Sequence, residues 1–379
     1  MSSNSKSHRP WWKRAIRFIL WTGTIFFTLG LLVASYSGEV EPRDFVLAPV
    51  MLLTYPLWIY GTVVFVVLDV FACRRALLAA IPMIAACIPS LWTYAPLNLT
   101  RPTLKVEEGA EVHTFSFMTY NVAAFHNFSY SFPGDVNPTI SYILGTDADV
   151  VNLQEVYTFA TSESEHITAA QVDSIYREYP YVMTFGEMQA MLSKYPADPV
   201  SHDWRNVKGN EIAVFRLFIH GEPVTVFNVH LQSYGLTASD KLLYREITEM
   251  DALDFAKIDS VRSTLMSKIN IAAQQRADDA HHLGELIKRF GGPNVIVAGD
   301  FNDVPGCYTL EYLADLGFHN VYSEIGCGPD ITYNSDRFYF RIDHVLYRGA
   351  LQPLSIRRGR IRSSDHYPLI VDFAITEHD

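Results

Sequence analysis

Six short stretches of the sequence carry residues that can hold a cation, activate water or carry a proton. They are TYN (Thr119–Asn121), LQE (Leu153–Glu155), NVHL (Asn228–Leu231), GDFN (Gly299–Asn302), RIDH (Arg341–His344) and SDH (Ser364–His366). Together they supply carboxylates at Glu155, Asp300, Asp343 and Asp365, amides at Asn121 and Asn302, and imidazoles at His230 and His366. Oxygen donors of this kind suit a hard divalent cation that keeps several of its waters, so few protein carboxylates suffice. Imidazole changes its charge close to neutral pH. Taken singly, each residue has a plainer reading. Glu155 alone could be a solvated strand end, Asp300 and Asn302 an Asx-type turn closing a strand, and His230 a hydrogen-bonded surface imidazole.

The elements that must position these residues read as short apolar strands ending in polar residues. His113–Asn121 alternates and ends in Asn, Asp149–Glu155 ends in a carboxylate, Val224–His230 in His, and Asn294–Asp300 in Asp. Arg341–Leu346 holds Asp343 inside a strand, and SDH precedes a final strand over Tyr367–Ala374. Asp300 and Asn302, two apart, project on the same side of an extended segment. Helical patterns over Asp135–Leu144 and Ile258–Phe290 interleave with the strands, so the class is α/β. One polar strand end means little. Several together suggest strand ends that converge on one site.

In this order the six motifs resemble the endonuclease/exonuclease/phosphatase superfamily. That group includes DNase I-like nucleases, abasic-site endonucleases, neutral sphingomyelinases, inositol-polyphosphate phosphatases and deadenylases. The resemblance spans residues 112–376. It implies a four-layer α/β/β/α sandwich, DNase I-like, in which two packed mixed β-sheets carry helices on both outer faces. It implies Mg²⁺ or Mn²⁺ held chiefly by Glu155, with Asn121 coordinating or orienting through its amide oxygen and Asp365 close to this or a second metal. Asp300 would orient and deprotonate the attacking water, while Asn302 helps to hold phosphate or water. Asp343 would fix His366 by a hydrogen bond, keeping the imidazole cationic and facing a phosphoryl oxygen. His230 would contact the scissile phosphate, as in the sphingomyelinase, phosphatase and deadenylase branches. Asn210, in KGNEIAVF, falls where the family often has a substrate-side Asn.

Two departures stand out. Ser201–Asn210 matches no family pattern well, and His344 follows Asp343 where a Tyr is common. Arg357, Arg358, Arg360 and Arg362 crowd the strand leading into SSDH. Arg360 and Arg362 read either as an anion-binding rim beside the site or as basic residues protecting an edge strand.

The first hundred residues differ in kind. Ala15–Tyr36, Phe45–Val70 and Ala76–Tyr94 are apolar runs that approach or exceed the roughly 20 residues needed to cross a bilayer. They predict a three-span membrane anchor over residues 1–96, followed by a linker over residues 97–111. The N-terminus carries Lys6, Arg9, Lys13, Arg14 and Arg17, and the second connection carries Arg74 and Arg75. The positive-inside rule makes both cytoplasmic. Three crossings then make the catalytic domain extracytoplasmic, whereas two would leave it cytoplasmic. Asp69, beside Arg74 and Arg75, reads as an interface-level acid. Cys307 and Cys327 read equally well as a disulfide or as two free thiols.

Charge divides the same way. Residues 1–100 carry a net charge of +4 and residues 101–379 one of −15, together −11. An acidic catalytic half argues against indiscriminate nucleic-acid binding. The expected activity is hydrolysis of a phosphodiester by in-line attack of activated water. The expected substrate is a phospholipid headgroup, a nucleic acid or a small phosphodiester. A phosphomonoesterase of the inositol-phosphate type is the alternative within the enzyme class, and a membrane-bound binding protein without turnover the alternative outside it.

Overall fold

In the computed structural model, two six-stranded sheets face each other across an apolar interior. The structure describes residues 10–72, 74–100, 102–104, 111–126, 136–157, 166–186, 188–204, 211–235, 255–335 and 338–376. The first sheet contains β1 (Val112–Asn121), β2 (Val150–Gln154), β3 (Tyr181–Phe185), β4 (Gln189–Ser193), β13 (Leu351–Arg358) and β14 (Leu369–Thr376). Its order is β13-β14-β1-β2-β4-β3. The second contains β5 (Ala197–Trp204), β6 (Glu211–Ile219), β7 (Glu222–His230), β8 (Asn294–Asp300), β9 (His319–Asn320) and β12 (Asp343–Arg348), in the order β5-β6-β7-β8-β12-β9. A hairpin of β10 (Tyr333–Ser335) and β11 (Phe338–Phe340) stands apart from both.

Each sheet is mixed because each holds one parallel pair at its centre, β1 with β2 and β7 with β8. Parallel neighbours need a crossover. A helix over Pro138–Thr146 lies between β1 and β2 in the chain, and a helix over Phe255–Phe290 between β7 and β8. The Pro138–Thr146 helix starts where Asn137 Oδ1 accepts from the Thr139 and Ile140 amides, with Pro138 in the first turn, where its missing N–H costs nothing. These helices cover the outer faces. Ile140, Ile143 and Ile175 pack on the first sheet, and Leu283, Leu286 and Leu310 on the second. The four layers and two mixed sheets agree with the expected architecture.

Along the four parallel strands the inward face changes character in step. On β1 it runs Phe117, Thr119, Asn121, and on β2 Val150, Asn152, Gln154. On β7 it runs Val226, Asn228, His230, and on β8 Ile296, Ala298, Asp300. The alternate residues, such as Met118 and Tyr120 or Val295 and Val297, face the outer helices. Apolar side chains thus fill the start of the inter-sheet space and polar ones its end. Between them lies a hydrogen-bonded seam. Gln154 Nε2 donates to Asn228 Oδ1 at 2.8 Å and to Thr119 Oγ1 at 3.1 Å, and Asn228 Nδ2 donates to the Leu153 carbonyl at 2.9 Å. Buried amides must be bonded to be tolerated, and here the bonds fix one sheet against the other.

The N-terminal segment forms α1 (Trp11–Ser35), α2 (Ala48–Leu53), α3 (Tyr55–Ala72), α4 (Leu77–Ala86) and α5 (Ile88–Tyr94). Among the described residues, α1 with its short extension and α3 are long and apolar enough to cross a membrane, and α4 with α5 makes a third span if the bent pair counts as one. That pair is bent by 57° next to Pro89, with Pro82 inside α4. The expected run over Phe45–Val70 is two helices broken at Thr54, and Leu52 of the first packs into the core beside the second sheet. Asp69 also departs from expectation. It is fully buried and accepts a hydrogen bond from Thr24 Oγ1, because α1 and α3 pack closely enough for Gly23 and Gly30 to lie against the rings of Phe65 and Trp58. Cys307 and Cys327 are free thiols.

Candidate active site

The convergence expected from the strand ends places eight side chains around one cavity of about 290 Å³ or in direct contact with its walls. Asp300 is the hub. Its Oδ1 accepts the Asn302 amide N–H at 2.8 Å, an Asx-type turn, while Oδ2 is turned inward. Asn121 Nδ2 donates to that Oδ2 at 3.0 Å and to Glu155 Oε1 at 2.9 Å. His230 Nε2 lies 3.4 Å from Glu155 Oε1 and 3.7 Å from Asp300 Oδ2. His366 Nε2 lies 3.6 Å from the same Asp300 oxygen, and its Nδ1 is 2.9 Å from Asp343 Oδ2.

Strand register explains the assembly. His230 on β7 and Asp343 on β12 both pair with Asp300 on β8 from opposite sides. Gly299, at φ 144°, lets β8 approach β7 where any Cβ would strike the Val229 carbonyl. On the first sheet Asn121 pairs with Gln154, and Glu155 follows in a left-handed conformation at φ 55°. Asn302, at φ 51°, is left-handed too. Such conformations in non-glycine residues persist where the surroundings hold them, and they cluster at functional sites. Ser364 ties the last motif to the first, since its Oγ donates to the Asn121 carbonyl at 2.8 Å and accepts the His366 amide at 3.1 Å.

Burial and charge set the protonation of the cluster. Burial pushes the Asp300 carboxyl up to about 6, against the pull of His366 and His230. Burial opposes charge on His366, but Asp343 and Asp300 outweigh it and hold the imidazole proton well above the usual range. The site therefore pairs a buried carboxylate that can take a proton with an imidazolium that can face an anion.

The donor set fits a divalent cation. Glu155, His230 and Asp300 each offer one ligand atom, all within 4.8 Å of one another, and Glu155 stays partly open to solvent. His230 Nδ1 is buried and has no hydrogen-bond partner among the described residues. Asn121 Oδ1 accepts the Ala123 N–H at 3.1 Å and its Nδ2 faces both carboxylates, so the side chain orients Glu155 and keeps a second lone pair on its oxygen. Asp365 lines the same cavity but stands outside the tight cluster. Asn302 lines it too, with its Nδ2 donating to the Leu231 carbonyl at 2.9 Å.

The arginines do not join. β13 ends at Arg358, and Arg360 and Arg362 lie exposed in the following extended segment, outside the lining of the cavity. The Gly359 N–H still pairs with the Pro368 carbonyl in register, and the ladder ends there because Pro368 has no N–H to return. Arg358 is itself engaged, donating to the Ile331 carbonyl and stacking on Tyr367. Asn210 lies outside the described residues.

Two contributors, Arg276 and Tyr234, escaped the sequence, and a third, His344, was noted there without a role. Arg276, almost fully buried, donates from Nε to Asp303 Oδ2 at 2.9 Å and from Nη1 to the Gln232 carbonyl at 2.9 Å. Tyr234 donates to Asp303 Oδ1 at 3.3 Å with its ring against the Arg276 guanidinium. His344 Nε2–H donates to the Asp303 carbonyl at 3.0 Å. Together they brace the loop that carries Asn302. A signal existed for Arg276, which falls at helical spacing between the buried Ala273 and Ala280. Leu53, from the N-terminal segment, also stands in the cavity wall.

Comparisons with known proteins find similarity in both parts of the chain. The sequence model of the endonuclease/exonuclease/phosphatase family matches residues 118–366. A second model, a domain of unknown function (DUF8431), matches residues 17–94. No curated protein matches the chain. Among solved structures, truncated TDP2 of Caenorhabditis elegans is similar at 18% identity and a TM-score of 0.45, over 69% of this chain and 97% of that one. An endonuclease/exonuclease/phosphatase from Beutenbergia cavernae is similar at 16% identity and a TM-score of 0.45, over 69% and 72%. ANGEL2, described as a 2',3'-cyclic phosphatase and solved with adenosine-2',3'-vanadate, is similar at 17% identity and a TM-score of 0.42, over 71% and 99%.

Proposed function

The chain belongs to the endonuclease/exonuclease/phosphatase family, a family of phosphate-ester hydrolases, and on that premise we propose that it hydrolyses a phosphodiester with the help of a divalent cation. The observation that carries the reading is the buried meeting of Asp300 with Glu155, His230 and the Asp343–His366 pair.

Glu155 is the residue placed to hold Mg²⁺ or Mn²⁺, with Asp365 close by. A cation there supplies charge neutralisation for the phosphate and acidifies a neighbouring water. Asn121 keeps the Glu155 and Asp300 carboxylates in place, which lets two like charges share a site. Asp300 orients a water through Oδ2 and takes its proton. Its other oxygen is already fixed by Asn302, so the carboxylate cannot rotate away. The His366 imidazolium, kept charged by Asp343, faces the phosphoryl oxygens and stabilises the added charge as the P–O bond to the leaving group breaks. His230 approaches from the opposite side of Asp300 and completes the clamp. The exposed Arg360 and Arg362 would act at most on the outer part of a long anionic substrate, as would Asn210.

The N-terminal segment is proposed as the membrane anchor, with the basic N-terminus and Arg74–Arg75 cytoplasmic and the catalytic domain extracytoplasmic. A phosphomonoesterase remains the second reading within the class, because the same cluster could take a terminal phosphate.

The test is turnover by the full-length chain in detergent, with Mg²⁺, with Mn²⁺ and with EDTA. The substrates are bis-p-nitrophenyl phosphate, p-nitrophenyl phosphate, DNA and inositol phosphates. Metal-dependent cleavage of the diester, lost in Asp300→Ala, is expected. Cleavage of the monoester alone would replace the reading by its alternative. Folded, metal-loaded protein without any turnover would favour a binding role.

A further inference from the structure

The connection between the first two apolar helices, residues 36–54, is built into the catalytic domain. Leu52 is buried among Ile212, Phe227, Val229 and Phe301 of the second sheet's outer core. Gly38 lies on the Gly306 carbonyl with no room for a Cβ, and Arg43 reaches Asp278 at 2.7 Å. The far end of α5 is held as well. Buried Arg341, two residues before Asp343, donates from Nη2 to the Thr93 carbonyl at 2.7 Å, and Gly328 N–H donates to the Pro96 carbonyl at 2.6 Å.

One consequence reaches the chemistry. Leu53 forms part of the wall of the cavity whose floor is Glu155, His230, Asp300 and His366. Leu265 and Ile269 of the Phe255–Phe290 helix line the same cavity, as do Phe340 and Ile342. Apolar walls beside a charged floor describe a substrate with two parts, a phosphate and a hydrocarbon group.

Resting on the hydrolase reading above, we infer that Leu53 is a specificity-determining residue and that the site takes a phosphodiester bearing an alkyl chain, as an amphiphile of the bilayer does. Two observations favour an amphiphile over a nucleic acid. The wall is contributed by the segment joining two helices apolar enough to cross a membrane, where such molecules are found. The rest of the protein is acidic, with net −15 over residues 101–379, which repels a polyanion. Exposed Val46 and Leu47, just ahead of α2, extend apolar surface from the same segment. The reaction itself is unchanged. Water adds to phosphorus, the P–O bond to the leaving group breaks, and the leaving oxygen ends protonated.

The experiment uses the full chain in detergent with Mg²⁺ and three esters that report through p-nitrophenolate: methyl p-nitrophenyl phosphate, octyl p-nitrophenyl phosphate and the p-nitrophenyl ester of thymidine 5'-phosphate. Expected is a kcat/KM for the octyl ester roughly 10-fold or more above that for the methyl ester, since burying even one methylene in such a pocket discriminates on this scale. In Leu53→Gln the octyl-to-methyl ratio should fall by about 5-fold or more. Leu265→Gln, on the wall contributed by the helix, should lower the same ratio and reads the pocket independently if the first variant does not fold. Equal rates for the methyl and octyl esters, preference for the thymidine ester, or a ratio unmoved in both variants overturns the inference and leaves the hydrolase reading standing. Absence of turnover on all three removes that reading, and this one with it.

Discussion

His366 Nδ1 and Asp343 Oδ2 are 2.9 Å apart, a hydrogen bond joining two buried side chains that lie 23 residues apart in the chain. The bond settles a competition. Burial alone would strip the imidazole of its proton, and the two carboxylates around it, Asp343 and Asp300, keep the proton on. In the proposed reaction His366 would meet the substrate as a cation, its Nε2 3.6 Å from Asp300 Oδ2.

Replacing Asp343 by Asn keeps the shape of this pair and removes its charge. In Asp343→Asn the imidazolium loses its main support, so it deprotonates at lower pH than in the native chain. The expected result is a fall in kcat/KM of about 100-fold or more near neutral pH, together with a high-pH limb displaced downward. Rate profiles of the two proteins from pH 5 to pH 10 would show it. An unmoved limb would mean that the charge of His366 does not enter the rate.

Asp300 supplies the opposite limb. Its ionised form takes the proton from water, so rate rises with pH as the carboxyl ionises, and burial has pushed that event up to about 6. A cation beside it favours the charged form and moves the limb to lower pH. The low-pH limb should therefore lie at or below pH 6 in saturating Mg²⁺ and climb as the metal is diluted. Asp300→Asn should cost about 1,000-fold in kcat. A limb independent of metal concentration would separate Asp300 from the metal site.

The candidate cluster was legible because Asn121, His230 and Asp300 end apolar strands, Glu155 follows one, and Asp343 and His366 stand at or before the start of others. A polar residue there, as at Asn121, His230 or Asp300, must either find partners or mark a site, and motif order joined them. The layers followed from strands and helices alternating along the chain. Other features depend on side chains meeting across the fold, which no local pattern encodes. The run over Phe45–Val70 was uniformly apolar, and the same leucines serve a membrane helix or a protein core. Only packing distinguishes Leu52, in the core, from the exposed Leu57 in α3. Asp69 looked like an interface residue beside two arginines, yet Thr24 on α1 supplies the hydroxyl that lets it be buried. The alternation of Arg360 and Arg362 assumed a strand that ends at Arg358, opposite Pro368.

Leu52 turns that ambiguity into a measurement of stability. It is 6% exposed within the catalytic core although it belongs to the N-terminal segment. Leu52→Ala should destabilise the catalytic domain by about 2–5 kcal/mol, the cost of a buried cavity of this kind. Leu57→Ala, on an exposed helix face, should change it by less than about 0.5 kcal/mol. Thermal unfolding of the detergent-solubilised chain, followed through the loss of activity, compares the two. Equal and small effects would mean that the segment only rests on the domain. Removing everything before residue 101 should destabilise at least as much as Leu52→Ala, because it removes the same side chain.

His344 couples acid stability to the loop that carries Asn302. It is fully buried, and burial with the nearby Arg341 charge lowers its pKa from 6.5 to about 4. The fold therefore favours the neutral ring, whose Nε2–H holds the Asp303 carbonyl. Unfolded, the same imidazole titrates at its ordinary value, so between the two values the unfolded chain binds the additional proton. Stability from this residue is complete above about pH 6.5 and declines as the pH falls toward 4. The loss by pH 4 is on the order of 3 kcal/mol. Urea unfolding at a series of pH values should show this slope in the native chain and a shallower one in His344→Gln. Parallel slopes would place the ring in contact with water.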